Sequence, residues 1–103
     1  MMEKKYVIQA DFLKALAHPT RQQILDLLQA GERCVCEIIP ALDIEQSSVS
    51  RHLATLKREG ILQSRKDGLK VIYKVSDPRI YDILNLCADI TRQIWMEKAE
   101  IFS

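Results

Sequence analysis

The chain has 103 residues, 48% of them hydrophobic and 28% charged, and its formal net charge is +1. This size and composition predict one globular domain spanning residues 1–103, and no apolar run reaches the ~18 residues that a membrane span needs. The N-terminal residues lack the apolar core of a signal peptide, and three cysteines are an odd number, so we expect a cytoplasmic protein without a disulfide scaffold.

Four helices are predicted in the first 60 residues. Apolar residues recur at helical spacing in VIQADFLKALA, which predicts a first helix over about residues 6–17. Pro19 ends this helix, because it disfavours helical geometry at His18, and it suits the first turn of a second helix, TRQQILDLLQA. CVCEIIPALD is predicted to be a short third helix, and EQSSVSRHLATLKREG a fourth that ends at Gly60.

The hydrophobic period changes after Gly60. ILQSRK and KVIYKV are β-rich runs on either side of DGL, and Asp-Gly between such runs predicts a β-hairpin. A final helix is predicted over about residues 78–101. Its apolar residues recur every seven positions, which is typical of a helix that packs on another helix; they are Ile80, Cys87, Ile94 and Ile101. The predicted order is α-α-α-α-β-β-α, mainly α with a two-stranded β wing.

The positive charge is concentrated in the middle of the chain. Residues 46–74 carry seven Lys or Arg against two Asp or Glu, a net charge of +5, whereas residues 1–45 and residues 75–103 each have a net charge of −2. Such a local excess is typical of a surface that meets a polyanion, and the alternative is a basic face that is only solvated.

A tight turn between two helices, followed by a basic hairpin, is typical of a winged helix-turn-helix domain, whose second helix enters the major groove of DNA. Polar side chains on that helix would face base edges, and the fork of Arg51 matches guanine. The residues expected in the groove are Gln46, Ser47, Ser48, Ser50, Arg51 and His52. The residues expected to anchor phosphates, which position the protein without reading sequence, are Lys57, Arg65 and Lys70.

Four collinear stretches carry a family resemblance: ALAHPTRQQIL, CVCEI, SSVSRHLATLKREGIL and KVIYKV. Together they resemble the ArsR/SmtB family of metal-responsive repressors over about residues 8–85. The resemblance implies a homodimer that binds double-stranded operator DNA and leaves it when an inducer binds, with the first and last helices forming the dimer interface. Glu45 departs from the family, which usually has a Ser or Thr cap there; a carboxylate suits a helix N-terminus but not a nearby phosphate.

Cys34 and Cys36 form the most distinctive motif. In the ArsR/SmtB family, Cys-Val-Cys at this place marks the thiolate site of arsenic, antimony, cadmium or lead sensors. The resemblance therefore implies that Cys34 and Cys36 bind a thiophilic inducer, As(III) or Sb(III) in the leading interpretation, and soft thiolates do select such ions. Residues two apart on a regular helix point ~200° apart, so we expect inducer binding to unwind or bend the start of the third helix and to disfavour the DNA-bound form.

The family pattern is incomplete in this chain. The arsenic-sensing version most often has a further Cys where this chain has Ile39, and residues 77–103 contain no His for the zinc site of the last helix. Cys87 is a candidate third ligand, but its place on the apolar stripe favours buried packing. We therefore expect a small thiol or a hydroxide from solution as the third ligand. His18 and His52 are predicted to be structural or DNA-facing rather than metal ligands.

Other functions are kept open. One is a thiol redox or persulfide-responsive repressor, in which Cys87 takes part because a disulfide between residues two apart is strained. A cadmium or lead sensor, and a DNA-binding module without a sensor, are further alternatives. An enzyme is not expected, because the sequence has no Gly-rich phosphate loop and no catalytic His motif.

Overall fold

The structure is a computed structural model that describes the backbone of residues 3–102 and the side chains of residues 3–100. Its elements are α1 Lys4–Leu16, α2 Pro19–Leu28, β1 Arg33–Cys34, α3 Val35–Ala41, α4 Gln46–Arg58, β2 Leu62–Asp67, β3 Lys70–Val75 and α5 Arg79–Phe102. All five helices and the hairpin agree with the predicted order. The short strand β1 was not predicted.

Local chemistry sets the junction between α1 and α2. His18 has an extended backbone (φ −147°, ψ 129°), and its Nδ1 accepts a hydrogen bond from the Thr20 amide at 3.1 Å. Pro19 occupies the first helical position, where its missing amide hydrogen leaves no bond unmade. His18 therefore caps α2, in keeping with its predicted structural role.

The wing is a three-stranded antiparallel sheet in the order β1-β3-β2. The hairpin pairs Leu62 with Val75 at its base and Asp67 with Lys70 at its tip, where Gly68 takes the positive φ of 64° that the tight turn requires. On the other edge, Cys34 of β1 pairs with Ile72 of β3. The predicted two-stranded wing thus gains a third strand, which at two residues is too short to show an alternating pattern.

The core lies where α2, α3 and α4 meet the hairpin. The buried side chains come from every helix and from the start of β2; the largest fully buried ones are Ile24, Leu25, Ile38, Val49, Leu53, Leu56, Ile61 and Leu62. Three of them lie at helical spacing on α4, so one face of that helix is fixed against the core and the opposite face is left to solvent.

Helix α5 runs past this core. Ile80 is buried near its start, and the Tyr81 hydroxyl donates a hydrogen bond to the Leu25 carbonyl at 2.5 Å. Further along, its large apolar side chains are exposed; they are Ile83, Leu86, Ile90, Ile94, Trp95 and Met96. The side chain of Ile101, the last member of the predicted stripe, lies outside the described side chains. None of the helices in residues 3–102 combines the length and apolar content that crossing a bilayer requires.

Cys87 lies on this exposed part of α5 and is a free thiol. The prediction that Cys87 is buried is therefore wrong for the single chain. The physical reason is that the seven-residue stripe leaves the core after the first turns of the helix, so its later members in the described residues are exposed.

Candidate nucleic-acid interface and cysteine site

The N-terminal half of α4 presents the polar side chains that were predicted to face DNA. Gln46, Ser47, Ser50 and Arg51 are exposed, and Ser48 is half-buried. The guanidinium of Arg51 donates a hydrogen bond to the Ser48 hydroxyl at 3.2 Å.

Glu45 is the N-cap residue of α4, and its side chain makes no capping hydrogen bond. Its carboxylate therefore contributes charge at the helix N-terminus without the hydrogen bond that a Ser or Thr cap makes.

His52 points towards the neighbouring helices of its own chain. Arg21 of α2 donates from Nε to His52 Nδ1 at 3.1 Å, and the imidazole rings of His18 and His52 lie 4.3 Å apart. An Nδ1 that accepts a hydrogen bond requires the proton of a neutral ring to be on Nε2. Burial lowers the pKa of His52, and the charges of His18, Arg21 and Arg51 lower it further. The ring therefore helps to fix α4 on α2 as a neutral imidazole.

Arg21 extends this contact to the first helix. Its guanidinium also donates to the carbonyls of Ala15, at 3.3 Å, and Lys14, at 3.4 Å. One side chain thus joins the end of α1 to α4. Sequence reasoning missed this role, because Arg21 and His52 are far apart in the chain and neither belongs to a local pattern that indicates the contact.

The predicted phosphate anchors differ in their surroundings. Lys57 on α4 and Lys70 at the wing are exposed. Arg65 on β2 is also exposed, but its guanidinium bonds to Glu32 at 2.6 Å and has Asp67 at 3.9 Å. The Arg65 hydrogen bond lowers the pKa of Glu32, and Glu32 in turn raises the pKa of Arg65. Arg65 is therefore held by carboxylates of its own chain, and Glu32 is a second residue that the sequence did not indicate.

Cys34 and Cys36 lie at the junction of β1 and α3. Cys34 is the N-cap of α3, with φ −68° and ψ 147°, and Cys36 is in the first helical turn. The Cys36 amide donates to Cys34 Sγ at 3.1 Å, and the Glu37 carboxylate accepts from the Cys34 amide at 3.3 Å. Because Cys34 lies outside the helix, the ~200° separation of a regular helix does not apply. The two sulfurs therefore lie together while α3 begins at Val35, and the distortion of α3 by a bound inducer stays a prediction.

The two sulfurs are joined as a disulfide. The Cα atoms of Cys34 and Cys36 are 5.1 Å apart, within the usual range of about 4.4–6.8 Å for disulfides. The prediction that a disulfide needs Cys87 is wrong for the same reason as above: the extended backbone at Cys34 turns its side chain towards Cys36. Cys34 is buried and Cys36 is exposed, so one edge of the pair is open to reagents.

A cleft of about 370 Å³ opens beside the pair. Its walls come from α3, from α4 and from the wing. Besides the two cysteines, the lining residues are Val35, Ser50, Leu53, Leu69, Lys70, Val71 and Tyr73. The structure thereby brings the predicted metal ligands next to two predicted DNA contacts, Ser50 and Lys70. Cys87 does not line this cleft, and within the described residues no three His, Cys, Asp or Glu side chains are grouped to hold a metal ion.

Sequence comparisons found a matching family and related proteins. Residues 18–64 match the family described as bacterial regulatory protein, arsR family. The chain is 32% identical over 100 residues to the HTH-type transcriptional regulator Rv0081 of Mycobacterium tuberculosis, covering 96% of this chain and 88% of that protein. It is 43% identical over 72 residues to the arsenical resistance operon repressor of Escherichia coli, covering 69% of this chain and 62% of the repressor.

Comparison with solved structures also found similar proteins. The crystal structure of Rv0081 matches with a TM-score of 0.85 at 32% identity, covering 95% of this chain and 99% of that one. The solution structure of a homodimeric winged helix-turn-helix DNA-binding domain, Mb0332 of Mycobacterium bovis, matches with a TM-score of 0.75 at 32% identity, covering 86% and 88%. The predicted winged helix-turn-helix fold is confirmed.

Proposed function

This chain belongs to the arsR family of bacterial regulatory proteins, and we propose that it is a repressor whose inducer is a trivalent metalloid bound by Cys34 and Cys36. Proteins of this family regulate transcription, so the chain is a DNA-binding transcriptional regulator and not an enzyme. Arsenite and antimonite are the leading inducers, because both bind thiolates strongly. The arsenical resistance operon repressor among its relatives supports this choice.

One observation carries the proposal: the cleft beside the cysteine pair is shared with the DNA-binding elements. Ser50 belongs to α4, and Lys70 begins β3 of the wing. A ligand bound by both sulfurs would occupy space between these two elements. Because α4 and the wing must hold a fixed separation to contact one DNA site, a ligand that alters this separation disfavours the DNA-bound form.

DNA contact in this proposal uses two kinds of side chain. Exposed groups on α4, with Arg51 foremost, read base edges in the major groove. Lys57 and Lys70 contact phosphates, and Arg65 joins them when it leaves Glu32. His52 does not contact DNA in this proposal; it fixes α4 on α2 through its hydrogen bond with Arg21.

The active form is proposed to be a homodimer. Both α1 and α5 expose large apolar side chains, among them Ile8 and Leu13 on α1 and Ile90 and Ile94 on α5. The Mycobacterium bovis domain, which matches 86% of this chain, is homodimeric. Two copies packed through α1 and α5 would cover these faces and present two recognition helices to two half-sites.

Titration of the reduced protein on operator DNA with arsenite tests the proposal. Cys34→Ser and Cys36→Ser should keep DNA binding and lose release by arsenite, because a hydroxyl does not replace a thiolate towards a soft ion. Cys87→Ala is the matched control and should respond like the wild type. Antimonite, cadmium and lead are titrated in parallel to rank the inducers. Full release of the serine variants by arsenite would remove this pair as the inducer site.

The Cys34–Cys36 disulfide favours a second candidate, a thiol-disulfide switch. A two-electron oxidant such as a peroxide would take two electrons and two protons from the pair and close the disulfide beside α4 and the wing. Here the oxidised protein, without metalloid, should leave DNA, and dithiothreitol should restore binding. Cys87→Ala should keep this response, since the structure joins the other two cysteines. Persulfide formation, the remaining form of this alternative, would add sulfur atoms to the chain, which mass spectrometry detects.

A further inference from the structure

The cleft beside Cys34 and Cys36 is larger than a metalloid ion requires. The cleft measures about 370 Å³ and is open to solvent on one side. An arsenic atom bound by two sulfurs and one remaining hydroxide would leave most of this space to solvent. A larger group bound to the arsenic therefore has room in the cleft.

The two cysteines also leave one coordination position of a bound arsenic atom unfilled. Trivalent arsenic binds three ligands, and Cys34 and Cys36 offer two sulfurs. In the part of the chain that the structure describes, no group of three His, Cys, Asp or Glu side chains could hold a metal ion, and Cys87 does not line the cleft. The third ligand of the arsenic therefore comes from solution, as a hydroxide or as a small thiol, and the open edge at Cys36 gives it access.

The charge of the lining indicates what kind of molecule fits. The residues that line the cleft include Lys70, which carries an ammonium group, and Ser50 and Tyr73, which carry hydroxyl groups, while none of the described lining residues is Asp or Glu. Leucine and valine side chains supply apolar surface between them. An ammonium group and hydroxyl donors beside apolar surface are complementary to a short carbon chain that ends in a carboxylate.

We propose that the inducer is a ternary complex in which a small thiol bearing a carboxylate completes the arsenic site and its carboxylate binds Lys70. This inference rests on the proposed function of the cysteine pair. It also gives Lys70 two competing partners, because the ammonium group that holds the carboxylate is the one proposed to contact a DNA phosphate. Inducer and operator would therefore compete for one charge.

Formation of this ternary complex needs only arsenous acid and the small thiol. The disulfide is first reduced by two molecules of the small thiol, which leave as their own disulfide while Cys34 and Cys36 gain the two protons. Arsenous acid then exchanges its three As–O bonds for three As–S bonds, two to the protein and one to the small thiol. Each hydroxide leaves as water with a thiol proton, and arsenic stays trivalent.

Three thiols of similar size and different charge test the proposal: thioglycolate, 2-mercaptoethanol and cysteamine. The Cys87→Ala protein, reduced with a phosphine that is then removed, is titrated with arsenite and each thiol in the absence of DNA. Arsenic–thiolate absorbance gives the affinity, and native mass spectrometry gives the composition. We expect one arsenic and one thiol per chain, with thioglycolate bound about twofold to fivefold more tightly than 2-mercaptoethanol, as for an exposed ion pair, and cysteamine bound most weakly.

Lys70→Gln should abolish this order while leaving arsenite bound. Lys66→Gln is the matched control, because Lys66 is an exposed wing lysine that does not line the cleft, and it should keep the order. A complex of protein and arsenic without thiol, or equal affinity for all three thiols, would overturn the inference and leave the cysteine pair as the inducer site. Absence of arsenite binding under every condition would overturn the proposed function and this inference with it.

Discussion

At the scale of single residues, Glu32 is the ion-pair partner of Arg65. Their side chains meet at 2.6 Å, and Asp67 is a second acidic neighbour of Arg65. A phosphate on DNA offers Arg65 the same kind of anionic partner, so in the proposed complex Glu32 and DNA compete for Arg65. Glu32 lies two residues before Cys34, which places this choice beside the cysteine site.

Glu32→Gln is therefore expected to strengthen DNA binding and to steepen its salt dependence. Release of Arg65 to one phosphate adds about 0.9 to the slope of log affinity against log salt. Fluorescence anisotropy on operator and random DNA between low and moderate salt measures this slope. Arg65→Gln should lower affinity on both DNAs, and the double variant should match Arg65→Gln alone. A Glu32→Gln protein with unchanged slope would mean that Arg65 does not reach DNA.

His52 gives a prediction for pH. Its pKa in the folded protein is below the ordinary value of 6.5, so the unfolded chain binds more protons between the two pKa values, and stability there rises with pH. The contribution is full above about pH 6.5 and is lost as the pH falls through the folded pKa. Thermal melting of the wild type should therefore show a lower midpoint at about pH 5.5 than at about pH 7.5. His52→Gln should reduce this difference, and an equal difference in both proteins would contradict the role of His52.

At the scale of elements, α4 is the helix that we propose to read the DNA sequence. Its buried face is fixed by Val49, Leu53 and Leu56, so the direction of Arg51 follows from the position of the core. Tight packing of that face makes the exposed face a rigid platform.

Arg51→Ala is expected to weaken binding to the operator by about 1–3 kcal/mol and to relax base preference, with a much smaller effect on random DNA. Lys57→Ala is the contrasting variant on the same helix and should weaken both DNAs alike. Competition titrations with operator and random duplexes separate the two effects. Equal losses for Arg51→Ala on both DNAs would make Arg51 a phosphate contact.

The elements differ in how far the sequence predicts them. The helices and the hairpin follow from apolar period, from Pro19 and from the Asp-Gly turn, which act locally. Strand β1 cannot be predicted from local sequence, because its two residues become a strand only by pairing with β3. The cysteine site shows the same limit. Cys34, Cys36 and Lys70 were each singled out from the sequence, but the cleft that they line together depends on the pairing of β1 with β3. The partners of Arg65 and His52, more than thirty positions away, are likewise products of the fold.

At the scale of the whole molecule, the single chain is elongated. Its extents are 55 × 41 × 24 Å, and the exposed apolar face of α5 has no cover from its own chain in the described residues. Apolar faces of this kind mark contact with another chain. A dimer through α1 and α5 is the arrangement that we propose.

Ile90→Asp should convert the dimer to a monomer, because it adds an unpaired charge to this face. Asn85→Asp is the matched control: Ile83 and Ile90 share one face of α5, whereas residues 83 and 85 are about 200° apart on a helix. That variant adds the same charge to the other side of α5 and should stay dimeric. Light scattering after size-exclusion chromatography measures the mass of each protein at micromolar concentration. A wild-type monomer, or a dimeric Ile90→Asp variant, would contradict the interface through α5.

The pairing of Cys34 with Ile72 also closes a loop in the chain. The segment between these two residues includes α3, α4, β2 and the tip of the wing, and its two ends meet at this one pair. The two elements that we propose to contact DNA, α4 and the tip of the wing, therefore lie in one segment whose ends are paired. Because Cys34 is one member of that pair, we expect a ligand or an oxidation at its sulfur to shift the base of the segment that carries both elements.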